Sequence, residues 1–314
     1  MRVCVLASLA LWCSLPAVWP AGGRQSVPTS EVRFLTRDPE AIDYWPCFSP
    51  DGKTVLFSRT TDKRTTWDLF VVPIAGGEAR RLSNTRLPVS ATRANWSMDR
   101  NLIAFTGTSP DGKNTVWLIE ADGAQPRQVA STGLSDRVLY PSWYPGGEAL
   151  AVMDGADQVI KRIDRQRLTA VPVTDRKQVL TGMPSVSPDG KWIAFAGQSN
   201  RGQPYDQGNN AIWIVGDTGV ARTLEATPGQ GRTPAWSPDG QSLAFESNRG
   251  NSSSQLYAVF TINRDGSGLR QITPFELNAN HPVWSPDARH LVFSARFTKD
   301  SEATGIAIVD LPRR

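Results

Sequence analysis

Histidine and cysteine are scarce in this sequence, and their scarcity narrows the chemistry that the chain can perform. Only 2 of its 314 residues are His and 3 are Cys. Because a histidine-rich metal centre draws three or more ligands from such side chains, two imidazoles cannot furnish one. We therefore expect neither a metal ion nor any other cofactor; a calcium site built only of oxygen ligands stays open, although no loop with spaced acidic residues marks one.

The N-terminus has the pattern of a targeting segment. Arg2 is followed by an apolar run over residues 3–18 and by small residues at 21–23. A basic start, a short apolar run and small residues are typical of a secretory signal peptide, and the run is shorter than the roughly 20 residues that a membrane-spanning helix needs. We predict a signal peptide at residues 1–23 and a mature chain, 24–314, that is periplasmic or secreted and has no membrane span.

Cleavage at that point would remove Cys4 and Cys13 and leave Cys47 alone. A single Cys cannot form an internal disulfide, so the mature domain must be held together by its core. The charge is nearly balanced, since 34 basic and 30 acidic residues give a net charge of +4. No run of basic residues occurs, and we therefore expect no nucleic-acid partner.

The most prominent feature of the sequence is an internal repeat. One block recurs six times, reading Pro-Cys-Phe-Ser-Pro-Asp-Gly from Pro46 in the first copy and Pro-Ala-Trp-Ser-Pro-Asp-Gly from Pro234 in the fifth. In every copy an aromatic or apolar anchor is followed nine residues later by Phe or Val. The anchors recur every 43 to 50 residues, at Phe48, Trp96, Trp143, Val186, Trp236 and Trp284.

The chemistry of the block predicts short strands joined by tight turns. In Ser-Pro-Asp-Gly the Pro presets φ, the Asp bonds to the local backbone, and the Gly accepts a positive φ. The apolar run after the turn is short and bounded, which indicates a buried strand. A third short strand follows each block and a fourth follows the first five, and four strands in about 47 residues are typical of a propeller blade. We predict an all-β fold, a six-bladed β-propeller of four-stranded antiparallel blades.

The two ends of the repeat array complement each other. After the sixth block the chain passes through a third strand and reaches residue 314 without a fourth. Residues 32–36, ahead of the first block, match the pattern of a fourth strand. We predict that this N-terminal strand completes the last blade, because an open ring would leave an unpaired strand edge.

The repeated Pro-x-Trp-Ser-Pro-Asp-Gly block, with its Ile-Ala-Phe ending, resembles the propeller repeat of the TolB family over residues 31–314. There it forms the six-bladed C-terminal domain of a periplasmic protein of the Tol–Pal envelope system. The same repeat occurs in propellers of prolyl-peptidase-like enzymes and of some lyases. TolB also has an α/β domain ahead of its propeller, which carries contacts to inner-membrane partners. This sequence shows no counterpart between residues 23 and 31, so the resemblance does not imply that role.

A candidate binding site follows from the blade geometry. In a propeller the connections from fourth to first strand and from second to third strand share one face, here called the loop-rich face. The residue three positions before each anchor is expected near the channel mouth on that face. These candidates are Trp45, Arg93, Tyr140, Met183, Thr233 and His281. Such a set could bind a peptide, a carboxylate or a sugar, or it could simply plug the channel.

The long loops of the same face hold more basic than acidic side chains, namely Arg59, Lys63, Arg64, Lys113, Arg201, Arg249, Arg296 and Lys299. A mildly basic rim suits an acidic protein or a glycan, and the alternative is a set of solvated loops.

Two other repeated residue types have structural interpretations. The repeated carboxylates could suggest metal or acid chemistry, but each is better explained as part of its own turn; they are Asp51, Asp189, Asp239 and Asp287. The repeated indoles are expected to pack between neighbouring blades; they are Trp96, Trp143, Trp236 and Trp284.

Catalytic signatures are missing from the sequence. No Gly-x-Ser-x-Gly nucleophile motif occurs. His290 follows a turn at a strand edge and is expected to face solvent, and His281 alone cannot make a usual metal site. We expect that the chain is not an enzyme.

The sequence therefore favours an exported, monomeric scaffold similar to the TolB propeller, which binds an envelope protein or peptide on its loop-rich face. A peptidoglycan-associated lipoprotein is one candidate partner. A sugar- or polymer-binding module is the alternative, with Trp45 and Tyr140 as stacking platforms. A catalytic propeller that uses Arg93 and His281 is a third.

Overall fold

Six four-stranded antiparallel sheets make up the fold, which confirms the predicted six-bladed propeller. The computed structural model describes residues 31–61, 65–83, 87–224, 231–251 and 256–311. The predicted signal peptide and its cleavage point after Gly23 lie outside the described residues. Within the described residues, no helix combines the length and the hydrophobicity that membrane crossing requires.

The strands follow the same order in every blade. The first strands are β2 (Asp43–Phe48), β6 (Ser90–Trp96), β10 (Val138–Trp143), β14 (Val179–Val186), β18 (Gly231–Trp236) and β22 (Asn280–Trp284). The second strands are β3 (Thr54–Thr61), β7 (Leu102–Thr108), β11 (Ala149–Asp154), β15 (Ile193–Ser199), β19 (Ser242–Ser247) and β23 (His290–Arg296). The third strands are β4 (Thr66–Pro73), β8 (Asn114–Glu120), β12 (Val159–Asp164), β16 (Ala211–Val215), β20 (Ala258–Asn263) and β24 (Thr304–Asp310).

The fourth strands are short and form the outer edges: β5 (Arg80–Arg81), β9 (Arg127–Gln128), β13 (Thr169–Pro172), β17 (Ala221–Thr223), β21 (Arg270–Gln271) and β1 (Arg33–Phe34). Among the described residues, three short 3-10 helices lie between strands, at Pro145–Gly147, Gln207–Asn209 and Phe275–Leu277.

The first strands surround a common axis. Each contacts the first strand of the next blade, and β22 contacts β2, so the six close a ring. The core lies between neighbouring sheets. The closing Phe of the block is fully buried in five blades, at Phe57, Phe105, Phe195, Phe245 and Phe293. Burial of each such side chain contributes about 1.5–3 kcal/mol to stability, so the repeat supplies its own inter-blade core.

The Ser-Pro-Asp-Gly segments form the predicted turns. In the first blade the Ser49 hydroxyl donates to the Asp51 carboxylate at 2.6 Å, and the same carboxylate accepts the Lys53 N–H at 3.0 Å. Gly52 has a φ of 69°. The carboxylates of the other copies repeat this pattern, at Asp189, Asp239 and Asp287. The hydroxyl bond lowers the pKa of Asp51. The turn interpretation of these carboxylates is confirmed.

The indoles of two blocks tie neighbouring blades together, as predicted. Trp143 Nε1 donates to the Asn95 carbonyl at 2.9 Å, and Trp236 Nε1 donates to the Ser185 carbonyl at 3.0 Å. Each acceptor belongs to the first strand of the preceding blade. Trp284 is buried in the core of the last blade.

The N-terminal strand closes the ring. β1 pairs with β24, with Arg33 opposite Ile308 and Phe34 opposite Ala307. Just beyond it the Thr36 hydroxyl donates to the Asp43 carboxylate at 2.6 Å and accepts the N–H of Ile306 at 2.8 Å. Asp43 belongs to the first blade, so one hydroxyl joins the last blade to the first. The predicted closure is confirmed.

We predict that Thr36→Val lowers the free energy of unfolding by about 2 kcal/mol, because the buried Asp43 carboxylate loses a donor and the Ile306 N–H loses its acceptor. Chemical denaturation monitored by circular dichroism measures the change. Thr169→Val, on the exposed outer strand β13, is the matched control and should be neutral. Equal stability of the wild type and Thr36→Val would show that this junction does not hold the ring.

Candidate functional site

All six residues that the sequence singled out lie around one central cavity of about 480 Å³. Each comes from the first strand of a different blade, at Trp45, Arg93, Tyr140, Met183, Thr233 and His281. The repeat places them at one level along the axis, because every blade uses the same register. Their predicted binding role stays a prediction, but their proximity is a property of the fold.

A β-bulge directs each of the six side chains. In the first blade Tyr44 pairs with Ser58 and Cys47 pairs with Leu56, so Trp45 and Pro46 together oppose the single residue Phe57. The other five blades show the same register shift. At the bulge all six residues have a φ between 46° and 56°. Left-handed φ is uncommon for residues other than Gly, and bulges of this kind turn a side chain away from the regular pleat.

The cavity extends from these residues along the first strands to the turn-bearing face, where prolines of the Ser-Pro-Asp-Gly turns line it, namely Pro188, Pro238 and Pro286, together with Pro145. The sequence placed the six residues at a mouth on the loop-rich face. In the structure their shared cavity lies on the other side of them, toward the turns.

Four of the planar side chains form a continuous arc, which we call the aromatic arc: His281, Trp45, Arg93 and Tyr140. The rings of His281 and Trp45 have centroids 5.5 Å apart. The Arg93 guanidinium carbon lies 4.6 Å from the centroid of Trp45 and 4.6 Å from that of Tyr140. A cation between two rings is attracted by both. The stacking therefore fixes the position of the guanidinium at the inner end of the cavity.

The aromatic arc contains buried nitrogen atoms that have no hydrogen-bond partner among the described residues. They are Trp45 Nε1, Arg93 Nε and His281 Nδ1. The single hydrogen bond from the Arg93 guanidinium goes to the Thr92 hydroxyl at 3.0 Å. Buried polar groups are nearly always bonded, and an unpaired one costs about 1–3 kcal/mol. Three adjacent ones indicate a site that is complementary to a hydrogen-bond acceptor.

Glu246 holds the aromatic arc in place through hydrogen bonds, and the sequence analysis did not predict this role. Its carboxylate accepts the backbone N–H of His281 at 2.7 Å and the hydroxyl of Thr233 at 2.8 Å. Its other oxygen lies 3.0 Å from Arg232 Nε. Glu246 is fully buried, so it links two blades at the level of the cavity. No sequence signal marked it, because its partners come from the next blade and from a neighbouring strand.

The predicted basic rim is partly neutralised. Arg59 forms a two-point contact with the buried Asp43, at 2.7 Å and 2.8 Å. Lys113 pairs with Asp111 at 3.0 Å. Lys63 and Arg64 lie outside the described residues. The rim is therefore less basic than the sequence suggested, since folding gives Arg59 a structural partner.

A second hollow of about 810 Å³ lies on the loop-rich face between the first two blades. Trp67, Ser90 and Thr108 are among its lining residues, and Trp45 and Arg93 line it as well as the central cavity. These two side chains therefore separate the two hollows. The rings of Trp45 and Trp67 have centroids 5.0 Å apart.

The repeats match a known family model, that of the TolB beta propeller domain, over residues 26–205 and 172–313. The chain belongs to the TolB β-propeller family. A protein from Agrobacterium tumefaciens assigned as TolB has the same fold, with a TM-score of 0.67, 21% identity, and coverage of 90% of this chain and 94% of that one. An oligogalacturonate lyase from Vibrio parahaemolyticus is also similar in fold, with a TM-score of 0.57, 13% identity, and coverage of 90% and 94%.

Two relatives are similar in sequence. An uncharacterized peptidase of Bacillus subtilis, YuxL, is 30% identical over 48% of this chain, which spans about a fifth (21%) of that protein's length. An uncharacterized protein of Agrobacterium fabrum, Atu1656, is 26% identical over 71% of each chain. The similar proteins thus include some that are named as enzymes and some with no stated activity. The propeller fold alone does not decide which of these two groups this chain resembles in function.

Two titratable groups near the cavity of this TolB-family propeller have pKa values shifted by burial. Burial, together with the charges of Arg232 and Arg93, lowers the pKa of His281 to about 4 against the opposing effect of Glu246. Burial raises the pKa of the Cys47 thiol to about 12. Among the described residues no group of three His, Cys, Asp or Glu side chains could hold a metal ion. His290, paired with Asp310 at 2.8 Å, lies half-exposed on a second strand. That the chain is not an enzyme stays a prediction.

The lowered pKa of His281 predicts a loss of stability in acid. The unfolded chain takes up a proton near pH 6.5 and the folded chain near pH 4, so unfolding becomes easier as the pH falls through this window. His281 should account for about 3 kcal/mol of the loss between pH 7 and pH 4. Denaturation curves of the wild type and His281→Asn at both pH values measure it. A His281→Asn variant that kept the pH dependence of the wild type would contradict the assignment.

Proposed function

We propose that this TolB-family propeller is a protein-binding scaffold that takes a peptide segment of an envelope protein into its central cavity. The observation that carries the proposal is the preformed cavity of about 480 Å³, at whose inner end six equivalent residues converge. Its volume falls within the range of ligand pockets, roughly 300–1,000 Å³. Its walls are rich in aromatic rings and prolines, including Trp96, Trp143 and Tyr144, which suits an apolar peptide with a few polar groups.

Rigidity supports the proposal. The site residues lie on first strands that pair over several residues with a second strand, and Glu246 fixes two of them by hydrogen bonds. A site that is already ordered loses little conformational entropy when a ligand docks. The six bulges hold the side chains in place through the backbone rather than through mobile loops.

The cellular location and the oligomeric state of the protein are also part of the proposal. The N-terminal pattern at residues 1–23 and the family membership favour an exported protein that acts as a monomer in the periplasm. A peptidoglycan-associated lipoprotein is a candidate partner, by analogy with the Tol–Pal system. A role in that system rests on the family resemblance alone.

Capture experiments test the site. We expect the double variant Arg93→Ala/His281→Ala to recover at least about tenfold less of a specific partner from envelope extract than the wild type, which is the loss typical of central interface residues. Arg270→Ala, an exposed arginine on the outer strand β21, is the matched control and should bind normally. Equal recovery of every partner by the wild type and the double variant would show that the cavity does not bind the partner.

Sugar or polymer binding is the second candidate, because the two indoles of Trp45 and Trp67 meet beside hydroxyl groups in the hollow on the loop-rich face. Stacking on such rings would make binding depend on Trp45. Glycan-array signals that disappear in Trp45→Ala but persist in Trp192→Ala would support this candidate, since Trp192 lies at a turn on the opposite face, where its backbone N–H donates to the Ser187 hydroxyl. An array without any signal would argue against it.

A further inference from the structure

The chemistry of the aromatic arc identifies the part of the ligand that it would hold. We propose that His281, Trp45 and Arg93 bind a carboxylate group of the peptide that occupies the central cavity. This inference rests on the function proposed above and makes it more specific. It follows from the three unpartnered nitrogens, from the unpaired charge of Arg93, and from the composition of the cavity walls.

The three unpartnered nitrogen atoms favour a ligand group that accepts hydrogen bonds. Trp45 Nε1 and Arg93 Nε are donors only, and His281 Nδ1 can donate in one tautomer. None of the three finds an acceptor among the described residues. Because they belong to adjacent blades and their side chains are in contact, a single ligand group with several lone pairs could satisfy them together. A carboxylate has two oxygens and about four such positions.

The charge of Arg93 points to an anion. No carboxylate of the described residues pairs with Arg93, whereas Arg59 and Arg232 pair with the buried Asp43 and Glu246. Asp99, the acidic residue that lines the same cavity, lies at the turn end, where its carboxylate accepts the Gly146 N–H at 2.8 Å. The inner end of the cavity therefore has an uncompensated positive charge.

The orientation of Arg93 suits two-point recognition. Stacking between Trp45 and Tyr140 holds the guanidinium plane, and its Nη1 is used by the Thr92 hydroxyl. The edge formed by Nε and Nη2 carries no hydrogen bond among the described residues. A carboxylate fits such an edge through two parallel N–H···O bonds. The Nε atom is shielded from solvent, so a carboxylate reaches it only if one of the side chains packed around it shifts.

The cavity walls favour a peptide over an acidic sugar. Beyond the arc the lining consists largely of indole rings and prolines, such as Trp236, Pro238 and Pro286. Such walls bury apolar side chains of a peptide, while the several hydroxyls of a uronic acid would find fewer partners there. The carboxylate can come from the chain terminus or from an Asp or Glu side chain.

Titrations of the full chain by ¹H–¹⁵N NMR test the inference. The probes are acetyl-Ala-Ala-Phe as the free acid, the same peptide as its C-terminal amide, acetyl-Ala-Asp-Ala amide, and digalacturonate. The indole N–H signal of Trp45, assigned with Trp45→Phe, and the Nε–H signal of Arg93, assigned with Arg93→Lys, are the readouts. We expect saturable shifts of both signals with at least one peptide that carries a carboxylate.

The probes separate the sources of the carboxylate. Shifts with the free acid alone indicate a chain terminus, and shifts with the Asp peptide indicate a side chain. Equal shifts with the peptide that lacks a carboxylate, or no shift with any peptide, would overturn the inference, and a response to digalacturonate alone would replace the peptide with an acidic sugar. Arg93→Gln should weaken binding about tenfold to a hundredfold, while Arg270→Gln should not change it.

The capture assay distinguishes a failure of this inference from a failure of the proposed function. If Arg93→Gln still recovers the partner of the wild type while other cavity variants do not, the cavity binds its partner without a carboxylate contact and the inference alone fails. If no cavity variant affects recovery, the proposed function fails and the inference fails with it.

Discussion

One backbone irregularity, repeated six times, determines the centre of this propeller. In each first strand two residues face one residue of the second strand, and the first of the two adopts a left-handed φ. For residues other than Gly such a conformation costs of order 1–3 kcal/mol and persists only where the surrounding structure enforces it. Here the enforcing elements are the paired residues on both sides of the bulge. The strain places six unrelated side chains around one axis.

The buried charges of the molecule show which of them are available to a ligand. Asp43 is neutralised by Arg59, Asp154 by Lys161, and Glu246 by Arg232. Each of these pairs joins strands or loops that the ring must hold together. Leaving one member of such a pair unpaired would be strongly destabilising. Among the residues that the structure describes, Arg93 has aromatic neighbours instead of a carboxylate, which is the basis of its proposed role in recognition.

The two faces of the propeller differ in structure. The turn-bearing face carries short Ser-Pro-Asp-Gly turns whose carboxylates are used by their own hydroxyl and backbone donors. These rigid turns surround the opening of the central cavity. The loop-rich face carries the longer connections and the second hollow, and Trp45 and Arg93 stand between the two.

The sequence by itself determined the number of blades, the turn chemistry and the closure by residues 32–36, because each depends on local patterns that recur along the chain. It also located the six residues of the cavity, since register within a repeat is a local property. Tertiary structure alone decided that the cavity opens toward the turns, that Arg93 stacks between Trp45 and Tyr140, and that Glu246 supports His281. These contacts join different blades, so their partners are separated by tens of residues, and no local pattern can encode which side chains meet across the axis.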